Sequence, residues 1–126
     1  MIRRAAALVL SVLPLVSVGL AAQQPVAMEI TPVRGGVHMI SGQGGNIGLF
    51  VGESGPFLID DQFAPVAARI RGLIDTVTKD PVRFLVNTHW HNDHTGGNES
   101  FGKSGAIIVA HENVRRRRPV HRLQRH

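Results

Sequence analysis

His89-Trp90-His91-Asn92-Asp93-His94 packs four side chains able to ligate a metal into six residues. In an extended segment alternate side chains point the same way, so His89 and His91 can converge on one ion. Asp93 and His94 follow where the chain must turn, and they can face a second ion nearby. Neutral imidazole and carboxylate suit Zn²⁺ or a similar divalent cation, and a chain with no Cys offers no thiolate. A zinc-protease helix would place its His residues at i and i+4 around a Glu, and that arrangement is absent. The spacing points to a loop that holds one or two divalent cations.

The elements that must carry this loop are legible on both sides. Pro81 precedes the β-rich apolar run Val82-Arg83-Phe84-Leu85-Val86, which reads as a buried strand. Asn87-Thr88 lead from it into the ligands, and Thr95-Gly96-Gly97-Asn98 close the segment. The donors therefore sit at the C-terminal edge of a strand, where open α/β sheets commonly place their sites. Gly96 and Gly97 permit backbone angles and close approach that a side chain would block.

Thr88-His89-Trp90-His91-Asn92-Asp93-His94-Thr95-Gly96-Gly97 resembles the metal motif of the metallo-β-lactamase superfamily. A weaker second match is Phe57-Leu58-Ile59-Asp60, an apolar strand ending in an acid about thirty residues upstream. The resemblance covers roughly residues 28 to 114, and the His cluster is its specific part. It implies an α/β (α+β) fold: the N-terminal half of an αβ/βα sandwich, a mixed sheet with a flanking helix. It further implies that His89 and His91 hold a first Zn²⁺, that Asp93 and His94 hold a second, and that Asp93 also orients the attacking water. Asp60 would be an acid close to the site that orients an imidazole without touching the metal. The chemistry so implied is hydrolysis, in which metal-bound hydroxide attacks an ester, thioester or amide/lactam bond of a small-molecule substrate.

Plainer readings stand beside these. Asp60 can equally be a solvated turn acid with Asp61 as its exposed neighbour. Trp90 can wall a pocket or fill the core. His111 falls at a strand-to-helix junction and His38 in an early strand, so both read as non-ligands. The third His of the first site, the bridging acid and the last His of the second site find no match after His94. Non-catalytic metal binding and an interaction role for the Arg-rich end are therefore the alternatives to hydrolysis.

Charge is unevenly distributed along the chain. Six of the 14 basic side chains lie in residues 115–126, which leaves 8 against 9 acidic ones in residues 1–114. Without Arg3 and Arg4, residues 23–114 stand at −3, so the net charge of +5 calls for no polyanionic partner and no nucleic acid. Residues 115–126 have no apolar periodicity and contain Pro119, so they read as a disordered basic end or as out-of-frame translation of a longer gene. At the other end, Met1-Ile2-Arg3-Arg4 and the apolar stretch that follows have the layout of a secretory signal, with small residues placing cleavage after Ala22. Residues 1–22 would then meet a membrane only during export, and the product would be secreted or periplasmic. The sequence leaves the oligomeric state open.

Residues 23–114 form one small domain on this reading. Strands are expected at 28–33, 37–40, 46–51, 56–60, 82–86 and 106–110, and one helix at 64–77. Gly42-Gln43-Gly44-Gly45 and Gly52-Glu53-Ser54-Gly55 read as hairpin turns, since neither has the spacing or following helix of a phosphate loop. Pro65 suits a first helical turn, and Val66, Ile70, Leu73 and Val77 recur at helical spacing. A half sandwich leaves one sheet face without a partner layer, so exposed apolar surface and low stability are expected.

Overall fold

The computed structural model describes residues 27–117. The expected signal segment and most of the basic end lie outside these residues. Six strands follow the chain order across one sheet: β1 (Glu29–Arg34), β2 (Val37–Gly42), β3 (Gly45–Gly52), β4 (Gly55–Ile59), β5 (Phe84–Asn87) and β6 (Ile107–Ala110). β1 to β4 form an antiparallel meander whose second and third hairpins turn at the two Gly-rich tetrapeptides. β5 and β6 pair in parallel with β4 and with each other. Parallel neighbours need crossover connections, and helices supply them. A 3₁₀ turn (Ala64–Val66) and α1 (Ala67–Ile74) lead from β4 to β5, and α2 (Asn92–Thr95) and α3 (Asn98–Lys103) lead from β5 to β6. After β6 comes α4 (Glu112–Arg117). The result is the expected mixed sheet with flanking helices.

The helices cover one sheet face only. Alternate residues Ile40, Ile47, Leu49, Leu58 and Leu85 point inward and are sealed by Ala67, Ile70 and Ile74 of α1 and Phe101 of α3. The expected helix stops short, because the chain after Ile74 turns through Thr76, Val77 and Thr78, whose amides bond to Leu73 and Ile74 carbonyls. Ile74, not Val77, therefore completes the buried stripe, and Val77 is exposed. Among the described residues the opposite face of the sheet is apolar and uncovered: Val37, Met39, Phe50, Ile59, Ile107 and Val109 are all exposed on it.

Two short helices were not expected, and a third begins at the expected strand-to-helix junction after His111. α2 and α3 are too brief for a helical repeat to register in sequence. α4 carries the chain three residues into the expected basic tail, with Glu112 accepting from Arg115 and Arg116 along its surface. Among the described residues no helix is long and apolar enough to cross a membrane.

Candidate metal centre

β4 and β5 run side by side and end together, which brings Asp60 next to Thr88 and His94. The Asp60 amide donates to Val86 O at 2.8 Å, extending the pairing by one residue. Asp60 then adopts φ 62°, and its side chain folds back under the loop that follows β5. There the Thr88 amide donates to Oδ1 at 2.8 Å and the Thr88 hydroxyl to Oδ2 at 2.7 Å. His94 Nδ1 lies 2.8 Å from the same Oδ2. Asp60 is only 5% exposed, so the solvated-turn alternative is excluded by its burial.

These contacts order the protons on two imidazoles. An ionised carboxylate only accepts, so His94 carries its hydrogen on Nδ1 and leaves an Nε2 lone pair. The Thr88 hydroxyl has spent its one hydrogen on Asp60, so the 3.0 Å contact between its oxygen and His89 Nδ1 is a bond donated by His89. His89 thus also presents Nε2 as an acceptor. One buried acid sets both tautomers, directly for His94 and through Thr88 for His89.

The four donors gather at the end of β5. His89 Nε2 lies 3.1 Å from His91 Nδ1, and the rings of His89 and His94 stand 3.9 Å apart. Asp93 Oδ2 is 3.4 Å from His94 Nε2. α2 places Asp93 and His94 in successive positions, and the His94 amide bonds back to His91 O at 3.0 Å. Asn87 Nδ2 donates to His94 O, and Asn98 Nδ2 donates to Asn87 Oδ1, so two buried amides pin α2 to the end of β5.

The donor chemistry fits a divalent cation: three imidazoles, two of them with the hydrogen on Nδ1 and Nε2 left as the acceptor, and one half-exposed carboxylate. Their present arrangement is nevertheless one of mutual satisfaction. His91 donates to the nitrogen of His89 that a metal would take, and among the described residues no three His, Asp or Glu are arranged to hold an ion.

Other expectations fare differently. Asp61 is fully buried, not exposed; with Asp60 and Gln62 both at positive φ, strand alternation ends and three successive polar residues turn inward. Burial pushes the Asp61 carboxyl up to about 7 from its ordinary 3.8, aided by neighbouring Asp60 and opposed by the Gly97 amide and His94. Trp90 is 41% exposed, which excludes the core reading. Its ring meets His91 edge-on, and the Arg117 guanidinium lies over it at 5.3 Å from the centroid. His111 accepts from the Asn113 amide at the start of α4, and His38 bonds Gly36 O within its hairpin, so both sit apart from the cluster. Gly96 and Gly97 have ordinary helical angles; close approach alone explains them. A Cβ on Gly96 would stand 2.7 Å from the Asn92 and Gln62 carbonyls, and one on Gly97 3.0 Å from Asp61.

A family model described as the metallo-beta-lactamase superfamily matches residues 40–125, which takes in the whole site. The chain belongs to the metallo-beta-lactamase superfamily. A metallo-beta-lactamase of Cronobacter sakazakii, in a variant of its HARLDQ motif, is 27% identical with a TM-score of 0.62, covering 70% of this chain and 36% of its own. The metallo-beta-lactamase FIM-1 of Pseudomonas aeruginosa, solved in a mono-zinc form, shares the fold at a TM-score of 0.62 and 24% identity, over 75% of this chain and 46% of its own. The alpha subunit of 2,4-dinitroanisole O-demethylase from a Nocardioides strain is 33% identical over 88 residues, 68% of this superfamily member and 27% of that relative. This chain therefore spans about a quarter of that relative, and between a third and a half of the two lactamases.

The sequence motif led to the His-Asp cluster but left Thr88, Asn87, Asn98 and Gln62 without roles. Thr88 and Asn87 flank the His cluster, and their polarity at a strand end was the available signal. Gln62 gave none, because its placement depends on a left-handed backbone that nothing in Asp61-Gln62-Phe63 announces.

Proposed function

We propose that this chain carries the principal metal-binding half of a metal-dependent hydrolase, using Zn²⁺ or a similar divalent cation held by His89, His91, Asp93 and His94. One observation carries the reading: three imidazoles and a carboxylate meet at one strand end, above a buried acid that keeps the hydrogen of two of them on Nδ1. A bound cation supplies Lewis acidity there, lowering the pKa of water and stabilising charge that develops on a substrate oxygen. The protein's own contribution is preparation. Asp60 holds the hydrogen of His94 on Nδ1, Thr88 does the same for His89, and Asp93 offers a half-exposed carboxylate to orient water. The small-molecule substrate class is an ester, thioester or amide/lactam bond, in keeping with the lactamases it resembles. Export through residues 1–22 would set this chemistry in the periplasm or outside the cell.

Titration of the full chain with Zn²⁺ against a chromogenic chelator tests the assignment. His91→Ala and Asp93→Ala are each expected to weaken binding by more than about ten-fold. Unchanged affinity in both variants would refute it. Metal binding without catalysis is the second reading, favoured by the contact between His91 Nδ1 and His89 Nε2, which ties up a nitrogen that a metal would take. Stoichiometric zinc retention with no turnover of nitrocefin, an aryl ester or a thioester would decide for it.

A further inference from the structure

Gln62 is polar yet 1% exposed, and its backbone is held at φ 54°, a left-handed conformation that is costly for a residue with a Cβ. Two bonds keep it there. Nε2 donates to Gly45 O at 2.5 Å, and the Gln62 carbonyl accepts from the Gly96 amide at 2.8 Å. Gly45 closes the β2–β3 hairpin and Gly96 follows α2, so one residue ties the hairpin tip to the helix that bears Asp93 and His94. The tip in turn rests on Asp93. A Cβ on Gly44 would stand 3.2 Å from Asp93 Cβ and from its carbonyl oxygen, and 3.1 Å from the Phe63 ring. A Cβ on Gly42 would stand 2.6 Å from Gln62 Oε1, so the amide has no room to retreat. A buried amide kept only for stability would satisfy both its ends, but Gln62 Oε1 has no hydrogen-bond partner. Confinement on both sides means that a displacement of the Gln62 side chain moves the hairpin tip, and the tip moves Asp93.

We propose that Gln62 is a positioning residue for Asp93: it sets the height of the Gly-rich hairpin tip that lies against the Asp93 Cβ and carbonyl oxygen, and so fixes where Asp93 stands beside His94. The inference rests on Asp93 being a metal ligand.

The probe is Co²⁺ added to the full chain, whose visible bands report ligand geometry. Gln62→Met, which keeps the length and loses the amide, should bind Co²⁺ about ten-fold more weakly, with altered bands. Gly44→Ala should alter the bands in the same way, since its Cβ pushes on Asp93 with the amide intact. Leu58→Ala, a core variant away from the loop, should lower stability and leave the bands unchanged. Bands and affinity of the wild type in either Gln62→Met or Gly44→Ala would overturn the proposal. If the wild-type chain takes up no Co²⁺, the hydrolase reading fails, and amide hydrogen exchange of the metal-free chain decides the positioning separately. Faster exchange at His94 and Gly96 in Gln62→Met than in Leu58→Ala, at matched stability, is then expected. Equal rates would overturn it.

Discussion

Asp60 and Asp61 are adjacent carboxylates in one buried turn, and their surroundings divide them. Asp60 receives three donors, from the Thr88 amide, the Thr88 hydroxyl and His94, so its charge is well met. Asp61 receives one, from the Gly97 amide at 3.0 Å, and its Oδ2 has no partner. Desolvation then dominates and lifts its pKa to about 7. A folded-state value raised above the unfolded one means that the native protein binds the extra proton. The stability contributed by the Asp61 proton is therefore fully present below about pH 4, is lost as pH rises towards about 7, and changes no further beyond. The loss amounts to a few kcal/mol at most, at ~1.4 kcal/mol per pH unit. Asp61→Asn should remove most of this slope and raise the urea midpoint at pH 8 more than at pH 5. A parallel pH dependence in both proteins would show that the Asp61 carboxyl does not titrate in this way. The pair also shows what a sequence conceals at this scale. The residue types gave an acid at a strand end, and Asp60 is one, but only the two left-handed residues flanking Asp61 turn that side chain inward, and a non-glycine residue carries no mark of such a backbone.

At the scale of elements, the strands were legible as short β-rich apolar runs with turns of Gly at their ends. Leu58 and Leu85 point in while Ile59 and Val86 point out, yet all four are apolar, so the runs marked the strands without marking which face is buried. α1 was legible by its spacing, although β-branched Thr76, Val77 and Thr78 end it earlier than apolar recurrence implies. α2 and α3 were not legible, since their positions are set by partners far along the chain. α2 is held by Asn87 and by the bond from Gly96 N to Gln62 O, and α3 by Phe101, buried against the core. This makes the joint between them a rigid point. A Cβ on Gly96 meets only backbone atoms: two carbonyl oxygens at 2.7 Å and the Ala64 amide at 2.8 Å. None of these is the end of a flexible side chain, so relief requires the β4–α1 turn and α2 to separate. Gly96→Ala should cost about 1–3 kcal/mol in urea unfolding, even though alanine favours helical angles. A stability equal to or above that of the wild type would mean that the two turns are not packed as described.

Across the whole molecule, the open sheet face is organised in cross-strand rows. The register aligns Val37, Phe50, Phe57, Phe84 and Ile107 in one row, and Met39, Gly48, Ile59, Val86 and Val109 in the next. Nine of these ten residues are apolar beyond glycine, and the rows run unbroken from β2 to β6. A continuous apolar face of this kind is larger than soluble monomers usually leave in water, so the isolated chain should bind a hydrophobic dye and self-associate with rising concentration. β6 is the place to test this, because it is a sheet edge as well as part of the face, with Ile107 and Val109 55% and 44% exposed. Exposed side chains contribute little to the core, and a lysine on an edge strand also discourages pairing with another sheet. Ile107→Lys with Val109→Lys should therefore shift sedimentation towards monomer and reduce dye binding. The neighbouring inward residues Ala106 and Ile108 are untouched, so the circular dichroism spectrum and zinc affinity should hold. Unchanged association in the double variant would place the contact elsewhere than on this face. Loss of zinc affinity together with association would mean instead that metal binding depends on contact between copies, through a sheet whose opposite side carries the helices.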